Sequence, residues 1–222
     1  MPATQRTALL AGATGLVGRA LLSLLVDSDR YRSAHVLLRR TSGNIAADPK
    51  LKIQEVDFAR LPTAFPAVDD VYIALGTTIK MAGSEAAFRQ VDFDFVVNIA
   101  RAARTAGATR LAVVSALGAD PTSRIFYNRV KGEMELAIMQ IGYESVVIAQ
   151  PSLLLGDRAA LGQPARSGEL WAERLLAPLG WIVPKGVRPI PARAVASALV
   201  AAMIDARPGV RVLKSGAMQQ FS

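Results

Sequence analysis

Tyr127 and Lys131, four residues apart in "FYNRVKGE", fall on one face of a helix. A free phenol, with a pKa of about 10, is a poor acid or base at neutral pH. An ammonium beside it favours the phenolate and brings the group toward useful proton transfer. Twelve residues before the tyrosine, Ser115 ends the apolar run "LAVVSA", where a hydroxyl can hold a substrate oxygen. A Tyr-x-x-x-Lys pair alone occurs often by chance. With a serine at a strand end just ahead of it, the three describe proton delivery to the oxygen of a carbonyl. That chemistry needs a hydride carrier close by.

The carrier's cradle stands near the start of the chain. In "GATGLVG", Gly12, Gly15 and Gly18 are spaced three apart, directly after a short apolar strand and at the opening of a helix. Glycine permits the tight turn and lets backbone approach a pyrophosphate. The helix start, built from Thr14, Leu16 and Val17, offers free N–H groups and the positive end of a dipole. Glycines in that strand–turn–helix context mark a dinucleotide site far better than the spacing alone. Where an NAD site wants a carboxylate about 20 residues beyond the glycines, this chain has Arg39 and Arg40. Two cations there can fork onto a 2′-phosphate. Each charge-assisted hydrogen bond contributes about 1.5–3 kcal/mol, so NADP(H) is the expected cofactor. Asp57, with Phe58 beside it, follows the third strand and is expected to accept from the adenine amino group.

The elements that must hold these residues alternate along the chain. Strand-like runs at 7–12, 34–40, 51–58, 69–76, 110–116 and 144–151 are separated by helical stretches at 15–27, 84–107 and 123–142, with a last helix from about Pro191. Near-continuous apolar strands between amphipathic helices predict an α/β fold, a doubly wound parallel sheet. Ligands of such sheets bind at the carboxyl ends of the strands, which is where Gly12 and Ser115 fall. The 222 residues fit a single domain, with residues 152–192, rich in proline, glycine and arginine, forming a small substrate-side cap.

Composition excludes several classes. There is no cysteine and only one histidine, His35, so thiolate metal sites and disulfides are ruled out and no metal is expected. His35 reads as a strand residue. The 26 basic residues outnumber 18 acidic ones, for a net charge of +8, but they form no dense run. A phosphorylated ligand suits that charge, while neither nucleic acid nor membrane is an expected partner. Residues 8–26 are apolar, yet Arg19 and the glycines make them a poor membrane span or signal. The expected location is cytoplasmic.

"GATGLVG", "VVSALGAD" and "YNRVK", taken in order, resemble the short-chain dehydrogenase/reductase superfamily. "ALGTT", "RQVDFDFV" and "PSLLLG" look most like its small NADPH-binding, Tat-interacting-protein-like branch. The resemblance covers essentially the whole chain. It implies a Rossmann domain and a set in which Tyr127 is the acid–base, Lys131 its tuner and ribose anchor, and Ser115 the substrate orienter. It further implies that Ala74, Leu75, Gly76 and Thr77 line the nicotinamide half, with Pro151, Ser152 and Leu153 beside it. Asp92 stands where extended members usually carry Asn, and Asn98, one helical stretch on, reads as packing. The activity implied is hydride transfer between NADP(H) and a small carbonyl or alcohol. The alternatives are an NADP(H)-sensing regulator, with a protein partner or a homodimer, and epimerase or dehydratase chemistry on a nucleotide sugar, which the short C-terminal portion disfavours. Trp171 and Trp181 in the cap either floor a pocket or anchor the cap. Arg193 is either a contact for an anionic substrate or a surface charge.

Overall fold

The computed structural model describes residues 5–39, 45–156, 184 and 186–222. Seven parallel strands form one sheet in the order β3-β2-β1-β4-β5-β6-β9: β1 (Arg6–Ala11), β2 (Tyr31–Leu38), β3 (Leu51–Glu55), β4 (Asp70–Ile73), β5 (Arg110–Val114), β6 (Ser145–Gln150) and β9 (Gly209–Lys214). Between the last two, β7 (Leu154–Leu155) and β8 (Ile190–Pro191) make a separate two-stranded pair. The order reverses at β1, where β2 pairs on one side and β4 on the other. The crevice at such a reversal is where these sheets take ligands.

Side chains alternate along the strands and supply two cores. Leu10, Val36, Tyr72 and Val147 face α1 (Leu16–Asp27) and α6 (Ala192–Asp205), while Leu9, Leu37, Ile73 and Ile148 face α4 (Val96–Thr105) and α5 (Phe126–Met139). Alanines at 194, 196, 198 and 202 of α6 are buried, which lets that helix lie close to α1. Among the described residues no helix is long and apolar enough to cross a membrane.

Two features depart from the periodicity. The stretch expected as one helix over 84–107 is three consecutive pieces: α3 (Glu85–Arg89), a π-helical turn (Gln90–Phe95) and α4, preceded by the short α2 (Ile79–Ala82). The wider turn rotates Asp92 inward, where it is buried, and such turns collect at functional sites. The strand β9 was not expected. Pairing with β6 from Ser145↔Gly209 to Gln150↔Lys214, it is an edge strand with Val210 and Val212 exposed, and Arg211 between them denies it the solid apolar run of its neighbours. A short helix α7 (Ser215–Met218) follows it. Most of the expected cap, residues 157–183 and 185, lies outside the described residues, as do Arg40, Trp171 and Trp181.

Candidate active site

The glycine turn is fixed by contacts that no side chain could survive. Gly12 has φ 92, and a Cβ there would lie 2.5 Å from the Ala74 carbonyl carbon and oxygen on the neighbouring strand's exit. A Cβ on Gly18 would lie 1.9 Å from the Gly12 oxygen, so α1 is seated directly on the turn. No side chain caps α1 and no acidic residue occupies its first turn, leaving its N–H groups and positive dipole end facing outward. Gly12, Thr14, Gly15, Leu16 and Val17 line a cavity of about 810 Å³; Gly18 packs beneath it. The size is that of a small-ligand or cofactor site.

The same cavity receives Ser115, Tyr127 and Lys131. Ser115 follows β5 directly and is 5% exposed, and its Oγ has no hydrogen-bond partner among the described residues. A buried hydroxyl of that kind asks for a ligand atom. Tyr127 lies in the first turn of α5, half-buried, its ring 5.2 Å from that of Phe88. One turn on, Lys131 is 3% exposed. Its Nζ stands 2.8 Å from Asp92 Oδ1 and donates to the Val114 carbonyl at 3.5 Å. The other carboxylate oxygen of Asp92 accepts from the Thr77 amide at 2.9 Å. Burial presses the Lys131 ammonium toward its neutral form, but Asp92, followed by Tyr127 and Glu135, more than reverses this and leaves its pKa above the ordinary lysine value. A turn further along α5, the buried Glu135 accepts from Gln150 Nε2 at 2.8 and 2.9 Å, and Lys214 Nζ donates to Gln150 Oε1 at 2.5 Å.

The remaining expectations divide. Leu75, Gly76, Thr77, Phe58 and Arg39 line the cavity. Asp57 does not: it is exposed, and its carboxylate accepts from the Ala59 amide at 2.9 Å in a tight turn. Pro151, Ser152 and Leu153 follow β6 but miss the cavity wall, which Leu154 supplies. Their polar groups are engaged elsewhere, since the Pro151 carbonyl accepts from Leu117 N at 2.8 Å and Ile190 N donates to Leu153 O at 2.9 Å. Ser152 Oγ donates to the Arg188 carbonyl and accepts from Ser215 at 2.9 Å. Asn98 is exposed rather than packed, and Arg193 is exposed away from the cavity. Arg19 and Asp92 are the charged lining residues whose place in the site the sequence did not reveal. The only signal for Arg19 was its position directly after Gly18, one turn inside the helix that opens on the cavity. Among the described residues no group of side chains could hold a metal ion.

Residues 12–146 match the family of NAD(P)H-binding domains. "Protein FMP52, mitochondrial" of Eremothecium gossypii is 36% identical over 152 residues, 68% of this chain and 67% of its own length. The protein of the same name from Candida albicans is 34% identical over 154 residues, 67% of each chain. Because both relatives are named as mitochondrial, the expectation of a cytoplasmic protein does not stand. Among solved structures, the UDP-N-acetylglucosamine 4-epimerase of Methanobrevibacter ruminantium superposes with a TM-score of 0.71 at 16% identity, covering 95% of this chain and 76% of its own. MoeE5 in complex with UDP-glucose and NAD superposes with 0.69 at 16% identity, covering 94% and 76%. These likenesses establish a Rossmann-like α/β fold. With the glycine turn in place and the match running from that turn to β6, the chain belongs to the NAD(P)H-binding family.

Proposed function

We propose that the chain is an NADP(H)-dependent oxidoreductase that moves a hydride between the nicotinamide and a small carbonyl or alcohol. The observation that carries this reading is the convergence of Ser115, Tyr127 and Lys131 on the cavity that the glycine turn opens, with the Ser115 hydroxyl buried there and unpartnered. The residues present fit the cofactor. Gly12, Gly15 and the uncapped start of α1 would hold its pyrophosphate, where a single added Cβ at Gly12 would collide with Ala74. Arg39, joined by Arg19 and with Arg40 following in the sequence, would take the 2′-phosphate. Leu75, Gly76, Thr77 and Leu154 would flank the nicotinamide half. Bound NADPH supplies the hydride.

Everything else falls to the protein's own groups. Ser115 Oγ donates a hydrogen bond to the carbonyl oxygen and fixes its position. Tyr127 gives its phenolic proton to that oxygen as negative charge develops on it. Lys131 remains an ammonium beside the phenol and offers its remaining N–H to a ribose hydroxyl. A Tyr127→Phe variant is expected to lose turnover of carbonyl substrates with NADPH while binding NADPH within about two-fold of wild type, and retained turnover would sink the reading.

The fold shared with a nucleotide-sugar epimerase favours a second reading, in which the dinucleotide stays bound and is regenerated each cycle. That reading predicts cofactor that co-purifies and no net consumption of NADPH. A third, an NADP(H) sensor acting through a protein partner, predicts tight binding with no turnover, and leaves the acid–base set without a task.

A further inference from the structure

Asp92 has no assigned task in the mechanism above, yet it is a full negative charge, 1% exposed, inside the acid–base cluster. One of its oxygens meets Lys131 Nζ at 2.8 Å and the other accepts from the Thr77 amide at 2.9 Å. Both partners are donors, so both oxygens must accept, which a carboxylate does and an amide, with a single acceptor oxygen, does not. We propose that Asp92 is a positioning residue whose charge cancels that of Lys131 and whose second oxygen ties the Thr77 turn to it, so that the cluster around Tyr127 rests in its proton-donating form. The proposal rests on the reading of the site as an oxidoreductase centre and names a residue that sets the pH range over which its acid–base group can donate.

Facing the Tyr127–Lys131 pair are Asp92 from the π-helical turn, Glu135 from the next turn of α5, and Ser115 after β5. Glu135 is bridged through Gln150 of β6 to Lys214 of β9, so that outer carboxylate has its own cation. Arg89, at the end of α3, is paired with Glu133. Asp92 and Lys131 therefore cancel, and loss of the Tyr127 proton leaves a net negative charge in a mostly buried site. With Asp92 made neutral, the cluster begins one charge more positive, and losing that proton leaves it balanced. Glu135 still faces Lys131 and holds it charged, and half-buried Tyr127 reaches solvent more readily than Lys131, so the phenol is the group that yields.

The test uses the whole chain without nucleotide. The protein has four tyrosines. Burial raises Tyr31, Tyr72 and Tyr143 well above the ordinary phenol value, and the phenolate step of an ultraviolet pH titration that is missing from Tyr127→Phe is assigned to Tyr127. Asp92→Asn is expected to move its midpoint acidward by about one pH unit or more. The alkaline limb of kcat/KM for carbonyl reduction is expected to move the same way. A midpoint that stays in place or moves alkaline overturns the proposal and leaves the oxidoreductase reading intact, because that reading stands or falls on turnover by Tyr127→Phe. If Asp92→Asn does not fold, Asp92→Asn/Lys131→Met removes both charges, the exchange a buried ion pair tolerates best. A midpoint within about half a pH unit of wild type then supports the cancellation, and an alkaline move of about a unit or more overturns it.

Discussion

Replacing Gly132 with alanine adds one methyl group at a point where the active site has no room for it. Gly132 follows Lys131 on α5 and rests against the loop that leads from Ser115. A Cβ there would fall 2.2 Å from Pro121 N and 2.3 Å from the Asp120 carbonyl carbon. Ordinary contact begins at 3.4 Å, so helix and loop must part by about 1.2 Å. Both partners are backbone and the loop is braced. The Asp120 amide donates to Asn128 O at 3.0 Å, and its carboxylate accepts from Thr122 N at 2.8 Å and Thr122 Oγ1 at 2.7 Å. The displacement therefore carries Tyr127 and Lys131 away from Ser115. Misplacing reacting groups by about 1 Å costs on the order of 100-fold, and that loss is expected in kcat. Overpacking costs about 1–3 kcal/mol, and the better helix propensity of alanine returns up to about 1 kcal/mol. The mid-range net of about 1.5 kcal/mol should lower the melting temperature by about 3–6 °C, at roughly 2–4 °C per kcal/mol for a chain of this size. NADPH affinity, measured by calorimetry, should change little because the cradle lies on β1 and α1. A Gly132→Ala protein that melts no lower and turns over at the wild-type rate would refute the geometry.

Three further outcomes follow from the structure. Arg39→Ala/Arg40→Ala should cut the ratio of NADPH to NADH affinity ten-fold or more by calorimetry, and an unchanged ratio would remove the 2′-phosphate contact. Asp70, fully buried at the amino ends of the strands, accepts from Arg6, Arg110 and Tyr31 at 2.6–3.2 Å. Asp70→Asn leaves two arginines without their anion and should cost about 3 kcal/mol in chemical denaturation, with NADPH affinity in the folded fraction retained. The pKa of His35 is lowered from its ordinary 6.5 by burial and then by Lys52, so folding favours its neutral form. That share of stability is present above pH 6.5 and is lost as pH falls through the lowered folded value. As the chain's single histidine, it is isolated by His35→Gln, which should flatten the fall in melting temperature below pH 6.5, and an equal fall in both proteins would assign it elsewhere.

The parts of the site that were legible in the sequence are those fixed by local spacing. A glycine turn between strand and helix, and a tyrosine one helical turn before a lysine, hold their geometry whatever surrounds them. Asp57 was expected in the site from its distance along the chain; in the structure its carboxylate accepts from the Ala59 amide in a tight turn, and it is not among the residues lining the cavity. The residues after β6 likewise stop short of that lining, with Ser152 bonded to Arg188 and Ser215 and Leu154 on the wall. The strand β9 escaped because Arg211, between Val210 and Val212, breaks the solid apolar run by which buried parallel strands are recognised.

Asp92 shows most plainly why a motif reading stops short of mechanism. Thirty-nine residues separate it from Lys131, and the two meet only because the helix widens into a π-helical turn over Gln90–Phe95. A regular α-helix through the same residues would change the direction of Asp92 relative to Lys131. Nothing in the 3.6-residue periodicity announces the widening, because the apolar face continues through it from Phe88 to Val96 and Val97. The consequence is electrostatic. A lysine four residues after a tyrosine implies a cation that pulls the phenol toward phenolate, but a carboxylate 2.8 Å from that lysine removes most of the pull. The sequence motif alone therefore describes a tyrosine beside an uncompensated cation, while in the folded chain that cation is paired with a buried carboxylate. The pH dependence of carbonyl reduction, in wild type and in Asp92→Asn, distinguishes the two. An alkaline limb of kcat/KM that moves acidward in Asp92→Asn matches the folded arrangement, and a limb that does not depend on residue 92 returns the assignment to the motif.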